Sequence, residues 1–156
     1  MSIMVSTDQP QQLVDITDRL AAVAGAAGLV EGALLVYCPH TTCGLAVNEA
    51  ENGLHEDLAA ILEELAPRDR RWAHDDLSRR TQNLTPGETE RPNGWSHVRA
   101  LLATSPSLTL PISGGGLALG RWQRVFLVEL DGPRDRTLSA HPWGTPPPPS
   151  PPPPPR

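Results

Sequence analysis

The residues of this chain best suited to chemistry are histidines close to the ends of predicted strands and loops. An apolar run from Ala33 to Cys38 predicts a buried strand, and His40 follows it directly. His74 and His97 lie further along, in polar and loop-like sequence. Three neutral imidazoles bind a divalent ion, zinc above all, and leave one position open for water or substrate. We therefore expect the three histidines to meet at one metal site; the alternative is that they are surface or hydrogen-bonded histidines.

Other polar groups follow the same strand ends. Thr41 and Thr42 come before a second short strand, Leu45–Val47, which ends at Asn48 and Glu49. Strands fix geometry and the loops at their ends expose side chains, so functional groups concentrate there. Glu49 is a candidate base or supporting carboxylate for the metal, and the hydroxyl and amide groups are candidates for binding substrate.

A carboxylate interrupts the most apolar predicted strand, Trp122–Leu130. Burying an unpaired carboxylate costs free energy, so Glu129 is expected to act as a base, to support a metal ligand, or to pair with Arg134 or Arg136. Exposure to solvent or to a subunit boundary is the alternative. The two arginines, with the glycine run Ser113–Gly116, are suited to binding phosphate. For the glycine run itself, a tight hairpin is the better interpretation.

Composition limits the classes of function. A chain of 156 residues is expected to form one domain with a real core, and all 13 basic residues are arginines, which excludes Schiff-base chemistry. A net charge of −5 argues against nucleic-acid binding. No apolar run is long enough to span a membrane, and no signal peptide is evident. Two cysteines fit a reducing compartment, so we expect a cytoplasmic protein.

Three segments have the apolar spacing of amphipathic helices. They span residues 18–26, with Thr17 as the N-cap, 54–65 and 95–103. In the third, Val98, Leu101 and Leu102 are expected to face the core. The polar segment 68–92 is rich in arginine, and a loop of this length is more often functional than filler. Its alternating aspartates predict a solvated, ion-paired surface.

Strands and helices are interspersed irregularly, which favours an α+β domain with a mostly antiparallel sheet or sandwich. We expect Gln11–Ile16 to pair with Ile3–Ser6 as a hairpin, and Arg136–Ala140 to form an edge strand. The domain is expected to span residues 1–143. The proline-rich residues 144–156 predict a disordered tail or polyproline helix that the fold does not need.

Several short motifs follow one another in an order that is specific when they occur together. They are His40-Thr-Thr, Val47-Asn-Glu49, Trp72-Ala-His74-Asp-Asp, Asn93-Gly-Trp-Ser-His97, Leu110-Pro-Ile, Gly116-Leu-Ala-Leu-Gly-Arg-Trp-Gln123 and Glu129-Leu-Asp-Gly-Pro-Arg134. From about Ile3 to Ser139 the chain resembles the YjbQ-like family, also called the secondary thiamine-phosphate synthase family. The three consecutive glycines, the arginine-rich insert and the proline tail depart from the family pattern.

The resemblance implies a compact α+β fold that assembles as a homotrimer, with a histidine site near the subunit boundary and Gln123 among the substrate-binding residues. Members are credited with weak thiamine-phosphate synthase activity, which joins a pyrimidine diphosphate to a thiazole phosphate. We therefore expect a metal-dependent transferase or hydrolase that acts on a phosphorylated metabolite. The alternatives are a non-catalytic trimer that binds a metal or a metabolite, and a structural trimer whose histidines only pack.

Overall fold

The computed structural model describes residues 1–87 and 90–148, and it confirms the predicted α+β class. In chain order the elements are β1 (Ser2–Ser6), β2 (Gln12–Asp15), α1 (Thr17–Ala26), β3 (Glu31–Tyr37), β4 (Cys43–Asn48), α2 (Asn52–Leu65), a 3₁₀ helix (Ala73–Asp75), α3 (Gly94–Ala103), β5 (Ser107–Ser113), β6 (Gly116–Leu117), β7 (Arg124–Glu129) and β8 (Asp135–Thr145). Among these described residues, no helix has both the length and the apolar character needed to cross a bilayer.

The strands form two antiparallel sheets. One has five strands in the order β1-β8-β3-β5-β6, and the other has three in the order β2-β7-β4. The predicted hairpin of β1 with β2 is wrong, because β1 pairs with β8 and β2 pairs with β7. The connecting segment is held at the turn between β7 and β8, where Thr7 exchanges hydrogen bonds with the backbone of Arg134. The chain therefore crosses from one sheet to the other after β1.

Two apolar cores lie on opposite sides of the three-stranded sheet. Val125 and Leu127 of β7 face the five-stranded sheet and α1. Phe126 and Val128 face α2 and α3. This alternation is the expected consequence of a strand buried on both faces, because successive side chains point in opposite directions. The strand that carries Glu129 is thus the centre of the molecule.

Strand β8 is longer than predicted and is not an edge strand. It lies between β1 and β3, and it pairs with β3 as far as Glu31 opposite Thr145. The glycine run forms the predicted tight hairpin between β5 and β6, with positive φ angles at Gly114 and Gly115. The predicted domain boundary at residue 143 and the disordered tail stay predictions, since residues 149–156 lie outside the described residues.

Helix α3 turns a different face to the core than predicted. Leu101 and Leu102 are 86% and 59% exposed, whereas Trp95 and Arg99 are buried. The Arg99 guanidinium is paired with Glu63 and donates hydrogen bonds to Gln11 and to the backbone of residue 66. A buried cation whose donors are satisfied can occupy a core position, so an arginine takes the inward place that the apolar pattern assigned to the leucines.

The start of α1 also differs from prediction. Thr17 is the first helical residue rather than the N-cap, which is Ile16. The Thr17 hydroxyl accepts a hydrogen bond from the backbone of Val125 at 2.8 Å, and Asp15 accepts one from the Thr17 amide at 2.9 Å. The hydroxyl therefore joins the helix to β7 instead of capping its first turn.

Candidate functional site

Two of the three predicted histidines lie side by side. The ring centroids of His74, in the 3₁₀ helix, and His97, in α3, are 4.4 Å apart with an interplanar angle of 49°. Burial lowers the pKa of His97, and repulsion from His74 lowers it further. The ring of His97 is therefore held in the neutral form, which is the form that binds metal ions and accepts hydrogen bonds.

The histidine pair is held together by Asp75, which the sequence reading treated as part of a solvated loop. Its Oδ1 accepts hydrogen bonds of 2.9 Å from the backbone amides of Asn93 and Gly94, at the start of α3. A carboxylate at this position satisfies orphan amides and interacts favourably with the helix dipole. Gly94 also permits close packing, because a Cβ there would lie 3.1 Å from that of His74.

His40 occupies the loop between β3 and β4. Its Nε2 accepts a hydrogen bond from the backbone amide of Thr137 at 3.1 Å. Burial lowers the pKa of His40, and the nearby Arg136 guanidinium lowers it further. His40 is thus also held neutral. His97 lines one cavity together with His74 and another together with His40.

A cavity of about 860 Å³ opens beside the histidine pair. Its described lining consists of Thr41, His74, Arg80, Asn83, Glu90, Arg91, Asn93, His97, Pro133 and Arg134. These lining residues carry three guanidinium groups, two imidazoles and one carboxylate. Arg80 pairs with Glu90 at 2.5 Å and places Nη1 3.2 Å from Nε2 of His74. The arrangement is suited to an anionic ligand.

Asp131 organises one wall of this basic cavity, although it was not among the predicted site residues. It is 4% exposed. Its carboxylate pairs with Arg91 at 2.9 Å and Arg134 at 2.8 Å, and it accepts a hydrogen bond from the side-chain Nδ2 of Asn93 at 3.1 Å. Each guanidinium has five N–H donors, more than these contacts use. Asp131 therefore holds the two arginines in position while donors remain for a ligand.

A second cavity of about 480 Å³ adjoins the first and has a different character. Thr41 and His97 line both cavities. The remaining residues of the second are His40, Cys43, Ala100, Leu101, Thr104 and Pro106, which present mostly carbon atoms. The outward-facing Leu101 of α3 thus forms part of an apolar compartment beside the basic cavity.

Glu129 pairs with Arg136, one of the alternatives the sequence left open. Their contacts are 2.6 and 2.7 Å long, and the two side chains are 0% and 6% exposed. The amides of residues 130 and 131 also donate to Glu129, and Arg136 donates to the Thr42 hydroxyl at 2.9 Å. Burial raises the pKa of Glu129, but the bonds from Arg136 and the amides outweigh it and leave the pKa below its usual value. This cluster lies beneath the cavities rather than lining them.

Three other predicted site residues lie at the far end of the three-stranded sheet. Cys43 of β4 is opposite Glu129 of β7, whereas Asn48 is opposite Arg124. Five residues of strand separate these pairs, about 16 Å at the usual rise per residue. Glu49, Asn48 and Gln123 are exposed there, with Gln123 accepting a hydrogen bond from the amide of residue 120. Within one chain they do not reach the histidines.

The donor set of one chain, as arranged, does not fit a three-histidine metal centre. A neutral imidazole has one lone-pair nitrogen, and in His40 and His74 the Nε2 atoms face the Thr137 amide and the Arg80 guanidinium, which are donors. Within residues 1–87 and 90–148, no group of three His, Cys, Asp or Glu side chains is placed to hold an ion. Such a centre requires that Arg80 leave His74 and that the Thr137 amide leave His40, or that ligands come from outside the chain.

The fold and these motifs place the chain in a known family. A profile of the family described as UPF0047 protein YjbQ-like matches residues 1–145. A UPF0047 protein of Archaeoglobus fulgidus is 35% identical over 136 residues, which cover 87% of this chain and 94% of that protein. UPF0047 protein YugU of Bacillus subtilis is 31% identical and covers 87% and 92% of the two chains. The chain belongs to the YjbQ/UPF0047 family.

Solved structures agree with this assignment. A YbjQ-like protein of unknown function from Sulfolobus solfataricus P2 superposes with a TM-score of 0.78 and 32% identity, covering 92% of this chain and 95% of that one. A hypothetical protein from Aeropyrum pernix K1 has a TM-score of 0.77 and 35% identity, covering 92% and 97%. The predicted family and fold are thereby confirmed.

The residues that sequence reasoning missed are Arg80, Arg91, Asn93 and Asp131. Arg80 lies in the arginine-rich segment 68–92, and the length of that segment was a signal of function. Its aspartates, however, suggested internal ion pairing. Arg71 and Asp76 do form such an exposed pair at 3.3 Å, but Arg80 turns inward to the cavity. Charge alternation does not distinguish the two cases.

Proposed function

We propose that this chain binds a phosphorylated small molecule across the two adjoining cavities and acts on it as a metal-dependent enzyme. The observation that supports the proposal is the basic cavity, where three arginines and two histidines surround space of about 860 Å³. Guanidinium groups bind phosphate through parallel N–H donors.

In this proposal the phosphate lies against Arg91 and Arg134, with the Thr41 hydroxyl beside it. Both arginines are anchored by Asp131, so little side-chain freedom is lost when the ligand binds. The remaining part of the molecule lies in the apolar cavity, because Thr41 and His97 line both compartments. The expected ligand thus has an anionic end and an apolar or aromatic end.

The reaction that the family resemblance favours is a thiamine-phosphate synthase-like transfer, in which a pyrimidine diphosphate loses pyrophosphate to a thiazole phosphate. The role of this chain's arginines would be to hold the phosphate groups and stabilise the departing charge.

We also propose a divalent ion at His74 and His97, with His40 as the third ligand. Zinc is the expected ion, because imidazole ligands suit it. The contacts of Arg80 with His74 and of the Thr137 amide with His40 would then have to be replaced.

The proposed assembly is a homotrimer, and one face of the five-stranded sheet supports it. Met4, Tyr37 and Trp143 are 67%, 45% and 51% exposed on that face, and the strand register places them on the same side. Exposed apolar patches of this kind mark protein interfaces. Light scattering of the purified protein tests the assembly, and a monomer would contradict it.

We further propose a cytoplasmic location, which is supported by two cysteines that are free thiols.

Calorimetric titration with inorganic phosphate and phenyl phosphate tests the ligand class. We expect both to bind and phenyl phosphate to bind more tightly, because its ring is buried in the apolar cavity. Leu101→Gln, which adds polarity without charge, should remove that advantage and leave inorganic phosphate unaffected. If neither compound binds, the proposal is contradicted.

A second candidate is binding without catalysis, and one observation favours it. Both carboxylates predicted to act as bases lie away from the cavities: Glu129 is fully buried against Arg136, and Glu49 is at the far end of β4. Incubation with a pyrimidine diphosphate and a thiazole phosphate distinguishes the candidates. Formation of thiamine phosphate that is lost in His97→Ala supports the enzyme, whereas phosphate binding without turnover supports the second candidate.

Elemental analysis tests the metal. We expect near-stoichiometric zinc in the freshly purified protein and little in the His40→Ala/His97→Ala double variant. Equal metal content in the two proteins would contradict the assignment of these ligands. Absence of metal even after reloading would leave the arginine cavity as an anion site alone.

A further inference from the structure

We propose that Cys38 and Cys43 are a modification site, a dithiol that a low-molecular-weight disulfide oxidises to an intramolecular disulfide. They are the two cysteines of the chain. Their sulfur atoms lie 3.5 Å apart, and the residues are 1% and 3% exposed. The inference goes beyond the proposed function, because it needs neither a metal nor a phosphate.

The contact between the thiols is set by the fold rather than by a mobile loop. Cys38 follows β3 in the five-stranded sheet, and its amide donates to the backbone of Pro106 at 2.8 Å. Cys43 begins β4 in the other sheet, opposite Glu129. The two sulfurs therefore meet where the sheets approach each other. Closing their separation to the bond length of about 2 Å is a local movement of two side chains.

One sulfur has a route to solvent. Cys43 lines the apolar cavity together with His40 and His97, whereas Cys38 is not among the residues lining it. An oxidant that enters this cavity reaches Cys43 first. Cys38 then lies behind it as the resolving thiol.

The chemistry is two successive thiol–disulfide exchanges. Access and not acidity selects Cys43, since the hydrogen bond with Cys38 and burial raise the pKa of its thiol. Once Cys43 has lost its proton, its sulfur attacks the oxidant, whose S–S bond breaks to release one thiol with that proton. Cys38 then loses its proton and attacks the Cys43 sulfur of the mixed disulfide, which releases the second thiol. Overall the two cysteines give up two electrons and two protons, and the oxidant is reduced to two thiols.

The new bond would close a short ring around the loop that contributes His40 and Thr41 to the cavities. Thr42, in the same ring, holds Arg136 through its hydroxyl at 2.9 Å. Oxidation therefore constrains the one loop that joins the apolar cavity, the basic cavity and the buried ion pair. In a reducing compartment the bond is reversible, as redox-sensing disulfides are.

The test uses the folded wild-type protein, equilibrated in glutathione buffers from fully reduced to fully oxidised. Free thiols are trapped by alkylation after acid quenching, and the intact mass is measured. We expect two alkyl groups on the reduced protein and none on the oxidised one, whose unalkylated mass is lower by about 2 Da for the two hydrogens lost. A stable glutathione adduct, or two alkylatable thiols in the folded protein when urea-unfolded protein oxidises, would overturn the proposal.

The effect on the loop is measured by the ring resonances of His40 in the NMR spectrum. They should shift between the reduced and oxidised wild type and stay constant in the Cys38→Ser/Cys43→Ser double variant, which has no thiol to oxidise. Unchanged resonances in a protein that has formed the disulfide would overturn the link between the bond and the site. This readout does not depend on phosphate binding, so its failure is distinct from failure of the proposed function.

Discussion

Two carboxylates near the end of β7 bind arginines in different surroundings. Glu129 and its partner Arg136 are 0% and 6% exposed. Asp131, two residues later, is also buried, but its partners Arg91 and Arg134 are 49% and 41% exposed. The carboxylate–guanidinium pair is therefore closed to solvent at Glu129, whereas the guanidinium groups at Asp131 are open to a cavity.

The difference shows that the surroundings of the cation decide what an ion pair can do. Arg136 lies within β8, where it turns inward and satisfies its donors on Glu129 and Thr42. Arg134 precedes β8, and its side chain lines the basic cavity. The first pair joins the two sheets, and the second holds guanidinium groups where an anion can reach them.

The largest effect is expected from breaking the closed pair. Glu129→Gln should lower the free energy of unfolding by about 3–5 kcal/mol, because it leaves the Arg136 charge buried and uncompensated. Chemical denaturation measures the loss. A change below about 1 kcal/mol would mean that water or another group compensates Arg136.

The loss of stability caused by Glu129→Gln should depend on pH. The pKa of Glu129 is lower in the folded state than in the unfolded state, so its stabilising contribution is complete above the unfolded pKa of about 4.3. The contribution is lost as the pH falls through the folded pKa. The difference in stability between wild type and Glu129→Gln should therefore shrink below about pH 4. A constant difference down to pH 2 would contradict the assignment.

Breaking the open pair should affect binding rather than folding. Arg134→Ala should weaken phosphate binding by about 1.5–3 kcal/mol, the usual scale for a hydrogen bond to a charged group. Its free energy of unfolding should change by less than about 0.5 kcal/mol. Arg121→Ala is the matched control, since Arg121 is an exposed arginine that stacks on Trp122 outside both cavities. An unchanged phosphate titration in Arg134→Ala would remove that residue from the site.

Asp131→Asn tests whether Asp131 contributes to phosphate binding by holding Arg91 and Arg134 in position. Removing a negative charge beside an anion site favours binding by Coulomb's law, whereas release of Arg91 and Arg134 weakens it. We expect the second effect to dominate, with affinity for phosphate about tenfold lower, or roughly 1.4 kcal/mol. Asp57→Asn, on the exposed surface of α2, serves as the charge control. Tighter binding in Asp131→Asn would show that the carboxylate only neutralises the cavity.

The smallest effect is expected at the far end of the sheet. Glu49→Gln should leave phosphate binding unchanged, because Glu49 follows Asn48, which β4 places about 16 Å from the strand end near the cavities. Calorimetry of the assembled protein measures this. A clear loss would mean that a neighbouring subunit brings its Glu49 to the site, and that one chain does not form it alone.

Local patterns were enough to predict much of the fold. The apolar spacing of α2 and α3 located both helices, and the apolar run 122–130 located β7. Strand pairing was harder, because β1 and β8 are distant in sequence and nothing local specifies that they meet. The inward face of α3 was misjudged for the same reason: Arg99 is buried by partners on two other segments, the end of α2 and the residue before β2.

By itself, the sequence determined the family, the α+β class and the candidate residue types, since these depend on motifs and on short-range periodicity. Only the tertiary structure decided which of those residues share a site. Whether an arginine lies beneath a cavity or lines it depends on the direction in which its side chain leaves the sheet and on the partners that long-range packing supplies. Arg134 and Arg136, alike in sequence terms, therefore have different roles. Arg134 precedes β8 and lines the basic cavity, whereas Arg136 lies within β8 and turns inward to Glu129.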